Sequence, residues 1–191
     1  MPKKLDRRIS KTRKSIKESF IALLAKKDIS EITITELSDY ADINRKTFYA
    51  HYSSVENILE AIGEELKDKL VAILPSGDKM TRELDFQSLF NSLNGIIDDD
   101  LDLYKKIIYS DSHMFILEDL KSYLKEELIK EYLEKFSLNK DINLFYTEFI
   151  ASGIVSMYVE WFRSSKNVTL EDLGQLASQI ITSSMREVMP S

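Results

Sequence analysis

The chain contains no cysteine, which removes disulfide frameworks, thiol nucleophiles and thiolate metal sites together. It has only two histidines, five glycines and three prolines among 191 residues. Neither histidine belongs to a His-Glu-x-x-His or Glu-x-x-His pattern, so zinc-hydrolase and di-iron bundle chemistry lack their ligands. No glycine-rich phosphate loop is present. Asp98, Asp99, Asp100 and Asp102 lack the turn glycine and closing glutamate of an EF-hand loop, and read as a solvated link between helices. No apolar run approaches the roughly 20 residues of a membrane-spanning helix, and the start MPKKLDRR lacks the apolar core of a signal peptide. The expectation is a cytoplasmic protein that is not an enzyme, with no cofactor, no metal and no membrane partner.

What is present is ordinary globular material, 43% hydrophobic and 30% charged, in a length that allows one large or two small domains. Scarce glycine and proline, with apolar residues at helical spacing, predict an all-α fold. Ile16, Phe20 and Leu23/Leu24 mark a first helix. Thr33–Tyr52 reads as a helix pair, and Ser53 with Glu56 reads as a capping box opening a long helix through Ile58, Leu59, Ile62, Leu66 and Leu70. Pro75-Ser76-Gly77-Asp78 is a loop signal. Five further helical segments follow, over 82–98, a short stretch from Leu101 to Ile108, 113–136, 141–163, and a last one opened by Thr169.

The helix pair carries the chemistry. Thr33 is a natural N-cap with Glu36 three residues on, and Leu37 and Ala41 share a buried face. Ala41-Asp42-Ile43 makes a turn in which Asp can adopt the left-handed conformation. Asn44 caps the second helix, whose Phe48 and Tyr52 point inward. Arg45, Lys46, Thr47, Tyr49 and His51 then face outward, a set of donors suited to phosphates and base edges. A solvated amphipathic pair would look similar, and the upstream flank decides between them. Residues 1–17 hold eight cations against Asp6 alone, a net +7 in a chain of net −6. A basic arm on an acidic protein is the footprint of nucleic-acid binding confined to one end.

The string ITITELSDYADINRKTFYAHYSSVENIL, with its Thr-Phe-Tyr-x-His-Tyr core at Thr47, Phe48, Tyr49, His51 and Tyr52, resembles the TetR/AcrR family of transcriptional regulators. The chain departs from the family pattern at Asp42 (usually Gly), at Lys46 (a small residue or Pro) and at Val55 (often a phosphate-contacting Lys). The resemblance implies a helix-turn-helix domain over 1–52, a connecting helix over 53–74 and a ligand-binding and dimerisation domain over 75–191. It implies DNA contacts from Thr33, Thr35, Asn44, Arg45, Lys46, Thr47, Tyr49, His51 and Tyr52, joined by Lys3, Lys4, Arg7 and Arg8 of the arm.

The helix over 141–163 is apolar around too wide an arc for one packed stripe, so it needs two partners. A two-fold DNA reader with one helix-turn-helix per chain also needs a second copy for a palindrome. Ile154, Met157, Tyr158, Trp161, Leu173, Leu176 and Ile180 are the expected homodimer interface. Phe86, Phe90, Tyr104, Ile107, His113, Met114, Phe145, Tyr146 and Phe149 are the expected pocket for an unknown small-molecule effector. Gly153-Ile154-Val155 leading into Glu160-Trp161-Phe162 is similar to the family branch that includes regulators of dihydroxyacetone kinase operons. The expected function is a repressor that binds a palindromic double-stranded DNA operator and is released by its effector. The alternatives are an activator of the same fold and a helical partner-binding protein without DNA activity.

Overall fold

The computed structural model describes residues 2–73, 85–109, 114–129, 140–164 and 167–188, and among these no strand forms. Among the described residues nine helices follow one another: α1 (Pro2–Leu24), α2 (Ile34–Tyr40), α3 (Arg45–Tyr49), α4 (Glu56–Ile73), α5 (Phe86–Asp99), α6 (Leu101–Tyr109), α7 (Met114–Leu128), α8 (Lys140–Arg163) and α9 (Leu170–Val188), with a 3-10 turn at Ile29–Glu31. The expected loop at 75–78 lies outside the described residues. The basic arm is part of α1, so its cations sit on a helix rather than on an extended tail.

The described residues form two compact units, with the division falling inside α4 between Glu65 and Leu66. The first unit contains α1, α2, α3, the start of α4 and α6 from Asp102. The second contains the rest of α4 with α5, α7, α8 and α9.

In the first unit, Ile16, Phe20 and Leu23 form the buried stripe of α1, and Leu37, Phe48, Ile58, Leu59 and Ile62 are buried in the same unit. Two adjacent lysines at the end of α1 hold the two ends of α2. Lys27 pairs with Glu36 near its start. Lys26 donates to the Tyr40 hydroxyl at 3.0 Å and lies over the Tyr40 ring at its end. The capping of α4 falls one residue later than the Ser53–Glu56 reading. Ser54 Oγ accepts from the Asn57 N–H at 3.2 Å, and Asn57 Oδ1 reaches back to the Ser53 N–H at 3.4 Å.

In the second unit, α5 packs along α9 and α7 along α8. Lys121 and Lys125 of α7 both pair with Glu148 of α8. Thr169 and Asp172 cap α9 reciprocally, Thr169 Oγ1 accepting from the Asp172 N–H at 3.0 Å and Asp172 Oδ2 from the Thr169 N–H at 3.1 Å. Asp141–Arg163 is long and apolar enough to cross a membrane by length and composition alone, at a mean hydropathy of 1.3. That corrects the expectation that no such stretch exists. The Glu148 ion pairs at mid-helix nevertheless tie it to α7 as a bundle helix.

Candidate nucleic-acid interface

The helix-turn-helix is built by three local devices. Thr33 Oγ1 accepts from the Glu36 N–H at 3.2 Å and starts α2. Asp42 takes φ 52°, the only positive φ at a non-glycine position among the described residues, and so turns the chain where a glycine would be easiest. Asn44 Oδ1 then accepts from both the Thr47 N–H at 2.8 Å and the Thr47 hydroxyl at 3.1 Å, which starts α3. Ser15 of α1 donates to the carbonyl of Ala41 at 3.0 Å and fixes the turn against α1. No sequence signal announces that last bond.

With α3 fixed, Phe48 lies in the core and its ring meets Tyr49 edge-on at 5.8 Å and Tyr52 at 6.1 Å. Thr33, Thr35, Asn44, Arg45, Lys46 and Tyr49 are exposed, while Thr47 and His51 are half-buried. Tyr52 is 6% exposed, so its ring belongs to the inner face and only its hydroxyl end is left for an outside partner. Val55 is likewise a core residue. The position where the resembled family often carries a phosphate-contacting lysine is therefore used here for packing.

Arg13 is the residue that the sequence reading counted only as charge. From α1 it stands near enough to His51 and Tyr52 to influence both. Burial first, and the Arg13 charge second, hold the His51 pKa below its ordinary value. Burial pushes the Tyr52 hydroxyl up, against the pull of Arg13. Lys17, one turn on, pairs with Glu65 of α4 at 2.8 Å. Arg7, Arg8, Lys11 and Lys14 are all exposed. At 100° per residue, Arg7, Lys11 and Lys14 fall on the side of α1 opposite Ile16 and Leu23. The side chains of Lys3 and Lys4 lie outside the described residues. The assembly is an outward row of donors on a capped helix beside a basic helical stripe.

The residues expected around an effector divide between the units. Phe86 and Phe90 are core residues of the second unit, and Tyr104 and Ile107 are core residues of the first. Tyr146 is half-buried and shares a 2.9 Å hydrogen bond with Ser184. Phe145 and Phe149 are 73% and 68% exposed. His113 and the side chain of Met114 lie outside the described residues.

Of the residues expected between two chains, Tyr158, Trp161 and Leu173 are already buried within the single chain. Trp161 donates its indole N–H to the Val168 carbonyl at 2.8 Å. Ile154 and Met157 are half-buried, and Leu176 and Ile180 are about half exposed. The single stripe read on the last helix is really two, because Leu173, Ala177 and Ile181 face the core while Leu176 and Ile180 lie roughly a quarter of a turn away. The outward apolar face of α8 is Ile142, Phe145 and Phe149, followed by the exposed small residues Gly153 and Ser156.

A helix-turn-helix of this build on an all-α chain is an architecture shared by many transcriptional regulators. Residues 85–183, just over half of the chain, match the family model of the TetR-type transcriptional regulator C-terminal region. The chain belongs to the TetR family of transcriptional regulators. It is 38% identical over 61 residues to an uncharacterised HTH-type transcriptional regulator, YxbF, of Bacillus subtilis strain 168, a match spanning 31% of this chain and 16% of that protein. Among solved structures, the dihydroxyacetone kinase operon activator DhaS matches with a TM-score of 0.67 at 21% identity, over 93% of this chain and 98% of that one. A TetR regulator from Streptococcus agalactiae 2603V matches at 0.66 and 25% identity, over 95% and 99% of the two chains. The fatty acid degradation regulator FadR of Bacillus halodurans matches at 0.64 and 13% identity, over 92% and 96%.

Proposed function

We propose that the protein is a cytoplasmic, homodimeric repressor that holds a palindromic double-stranded DNA operator with α3 and the basic stripe of α1, and that a small molecule bound in its second unit releases it. The observation that carries this reading is the outward row Arg45, Lys46, Thr47 and Tyr49 on a helix capped by Asn44 and backed by Phe48. Arg45 and Lys46 sit in the first turn, where a recognition helix meets base edges and phosphates. Thr33 and Thr35 at the start of α2, His51 and Tyr52 after α3, and Lys3, Lys4, Arg7 and Arg8 on α1 complete the proposed contact set.

Dimerisation is supported by apolar surface left without cover on one chain. Phe145, Phe149 and Ile142 of α8 and Leu176 and Ile180 of α9 are all exposed. Gly153 has nothing within 4 Å of where a Cβ would stand. A mid-helix glycine costs about 0.5–1 kcal/mol relative to alanine, and here it leaves room for a helix of a second chain to approach closely. Effector binding in the second unit is supported by two buried polar atoms without a partner among the described residues, the Tyr123 hydroxyl and Asn143 Oδ1. Buried polar atoms are normally satisfied, and a bound molecule with matching groups would satisfy these.

The test is binding of the purified protein to DNA from upstream of its own gene, measured across ionic strength. Lys46→Ala should shrink the slope of log affinity against log salt by about one unit. Arg45→Ala should relax preference at one base pair, at a loss of about 1–3 kcal/mol on the correct site. Wild-type behaviour in both variants would remove α3 as the reading element.

A further inference from the structure

Within the first unit, the end of α1 and the face of α6 border an open groove of about 410 Å3. Asp28 on one wall faces a space shared with Asp102, Lys105 and Lys106 on the other, and Leu24 and Tyr109 supply apolar surface. Among the described residues none of these four charges is ion-paired. That is unexpected on α6, where Asp102 precedes Lys106 by four residues and could neutralise it. Lys27 also lines the groove, but its ammonium is engaged by Glu36 and by the Glu31 carbonyl at 2.9 Å.

Two carboxylates and two ammonium groups without an ion-pair partner among the described residues, the Asp28 carboxylate also capping the turn at Glu31, stand around one small space and are complementary to neither an anion nor a cation. A plain acid would meet Asp28 and Asp102, and a plain amine would meet Lys105 and Lys106. A molecule with one charge of each sign satisfies both pairs. Asp102 and Lys105/Lys106 stand about one helical turn apart, roughly 5 Å along α6, which suits charges carried on neighbouring atoms of a small molecule.

We propose that this groove binds a small zwitterion, an α-amino acid with an apolar side chain. Its carboxylate lies at Lys105 and Lys106, its ammonium at Asp102 and Asp28, and its side chain against Leu24 and Tyr109. This site belongs to the DNA-binding unit and is separate from the effector site proposed in the second unit. Lys27 gives it a route to the helix-turn-helix. A carboxylate in the groove competes with Glu36 for the Lys27 ammonium and so loosens the hold of α1 on the start of α2.

The experiment is calorimetric titration of the full-length protein with L-leucine and L-phenylalanine at millimolar concentration. Isocaproate, which lacks the amine, and isopentylamine, which lacks the acid, serve as single-charge probes. Saturable binding of at least one amino acid and none of either single-charge probe is expected. Asp102→Asn, and Lys105→Ala combined with Lys106→Ala, should each weaken binding about tenfold or more, since charge-assisted hydrogen bonds are lost, with thermal unfolding of the free protein unchanged. Failure of both amino acids to bind would overturn the proposal, as would equal binding of either single-charge probe. Unchanged binding in both variants would place the amino acid outside this groove and would overturn it equally.

Discussion

Tyr158 of α8 donates its hydroxyl to the side-chain carbonyl of Asn94 on α5 across 2.7 Å, in the buried core of the second unit. Asn94 in turn donates to the Leu170 carbonyl at the start of α9 at 2.6 Å. One amide thus ties three helices, and Gly174 makes room for it, because a Cβ there would stand 2.7 Å from Asn94 Nδ2. Burial raises the Tyr158 pKa far above its ordinary value, so the hydroxyl stays a donor at every ordinary pH. Tyr158→Phe leaves the Asn94 carbonyl oxygen buried and unpaired, at a cost of about 1–3 kcal/mol. In urea unfolding, Tyr158→Phe with Asn94→Leu should lose less than the two single changes added together. Strict additivity would show that the bond is idle.

The turn of the helix-turn-helix stores a small strain at Asp42. Asp42→Gly should raise unfolding stability by up to about 1 kcal/mol, and Asp42→Val should lower it, because a β-branched side chain is least tolerant of the left-handed region. Denaturation midpoints read this directly, and a stabilising Asp42→Val would refute it.

The two apolar faces of α8 predict opposite outcomes for two similar changes. Trp161, 8% exposed, sits in the chain's own core, so Trp161→Asp should unfold the protein, since a buried charge costs several kcal/mol. Phe149 is open on the single chain, so Phe149→Asp should leave the circular dichroism spectrum intact and convert the dimer to monomers in sedimentation. A wild type that sediments as a monomer at micromolar concentration would end the dimer proposal.

His51 titrates below its unfolded value because burial and Arg13 disfavour its charged form. The unfolded chain therefore binds more protons in the window between the folded pKa and about 6.5. The His51 contribution to stability is present above that window and is lost as pH falls through it. Arg13→Ala should raise the His51 pKa in an NMR titration, and no movement would mean that burial alone sets it.

Removal of residues 1–6 takes away one net positive charge, and removal of residues 1–8 takes away three. Affinity for DNA should fall more in the second truncation, most clearly at low salt, where charge is least screened. Identical binding by both at every ionic strength would show that Arg7 and Arg8 do not touch phosphate.

Much of this was legible in the residues. Thr33, Asn44 and Thr169 announced helix starts because capping is a local bond between neighbours, and Asp42 marked the turn because few residues accept its conformation. Which face of α8 looks inward was not legible. Phe145, Phe149, Tyr158 and Trp161 are chemically alike, and only the positions of α5, α7 and α9 decide which of them are covered. The roles of Arg13 and Ser15 escaped for a similar reason, since each acts on a residue that is distant in sequence. Lys26 and Lys27 carry no sequence signal of their own, and their partners Tyr40 and Glu36 are likewise set by the fold.

Helix α3 has five residues, far fewer than the roughly 12–15 that make an isolated helix even marginal in water. Its shape is therefore lent to it by Phe48, Tyr52 and the cap at Asn44, with Tyr49 edge-on to Phe48. None of these depends on what stands at positions 45 and 46, which can change identity at little cost to the scaffold. On the proposed reading, drift at two codons would give a descendant of this chain a different address in a genome while its fold, and whatever signal it obeys, stay the same.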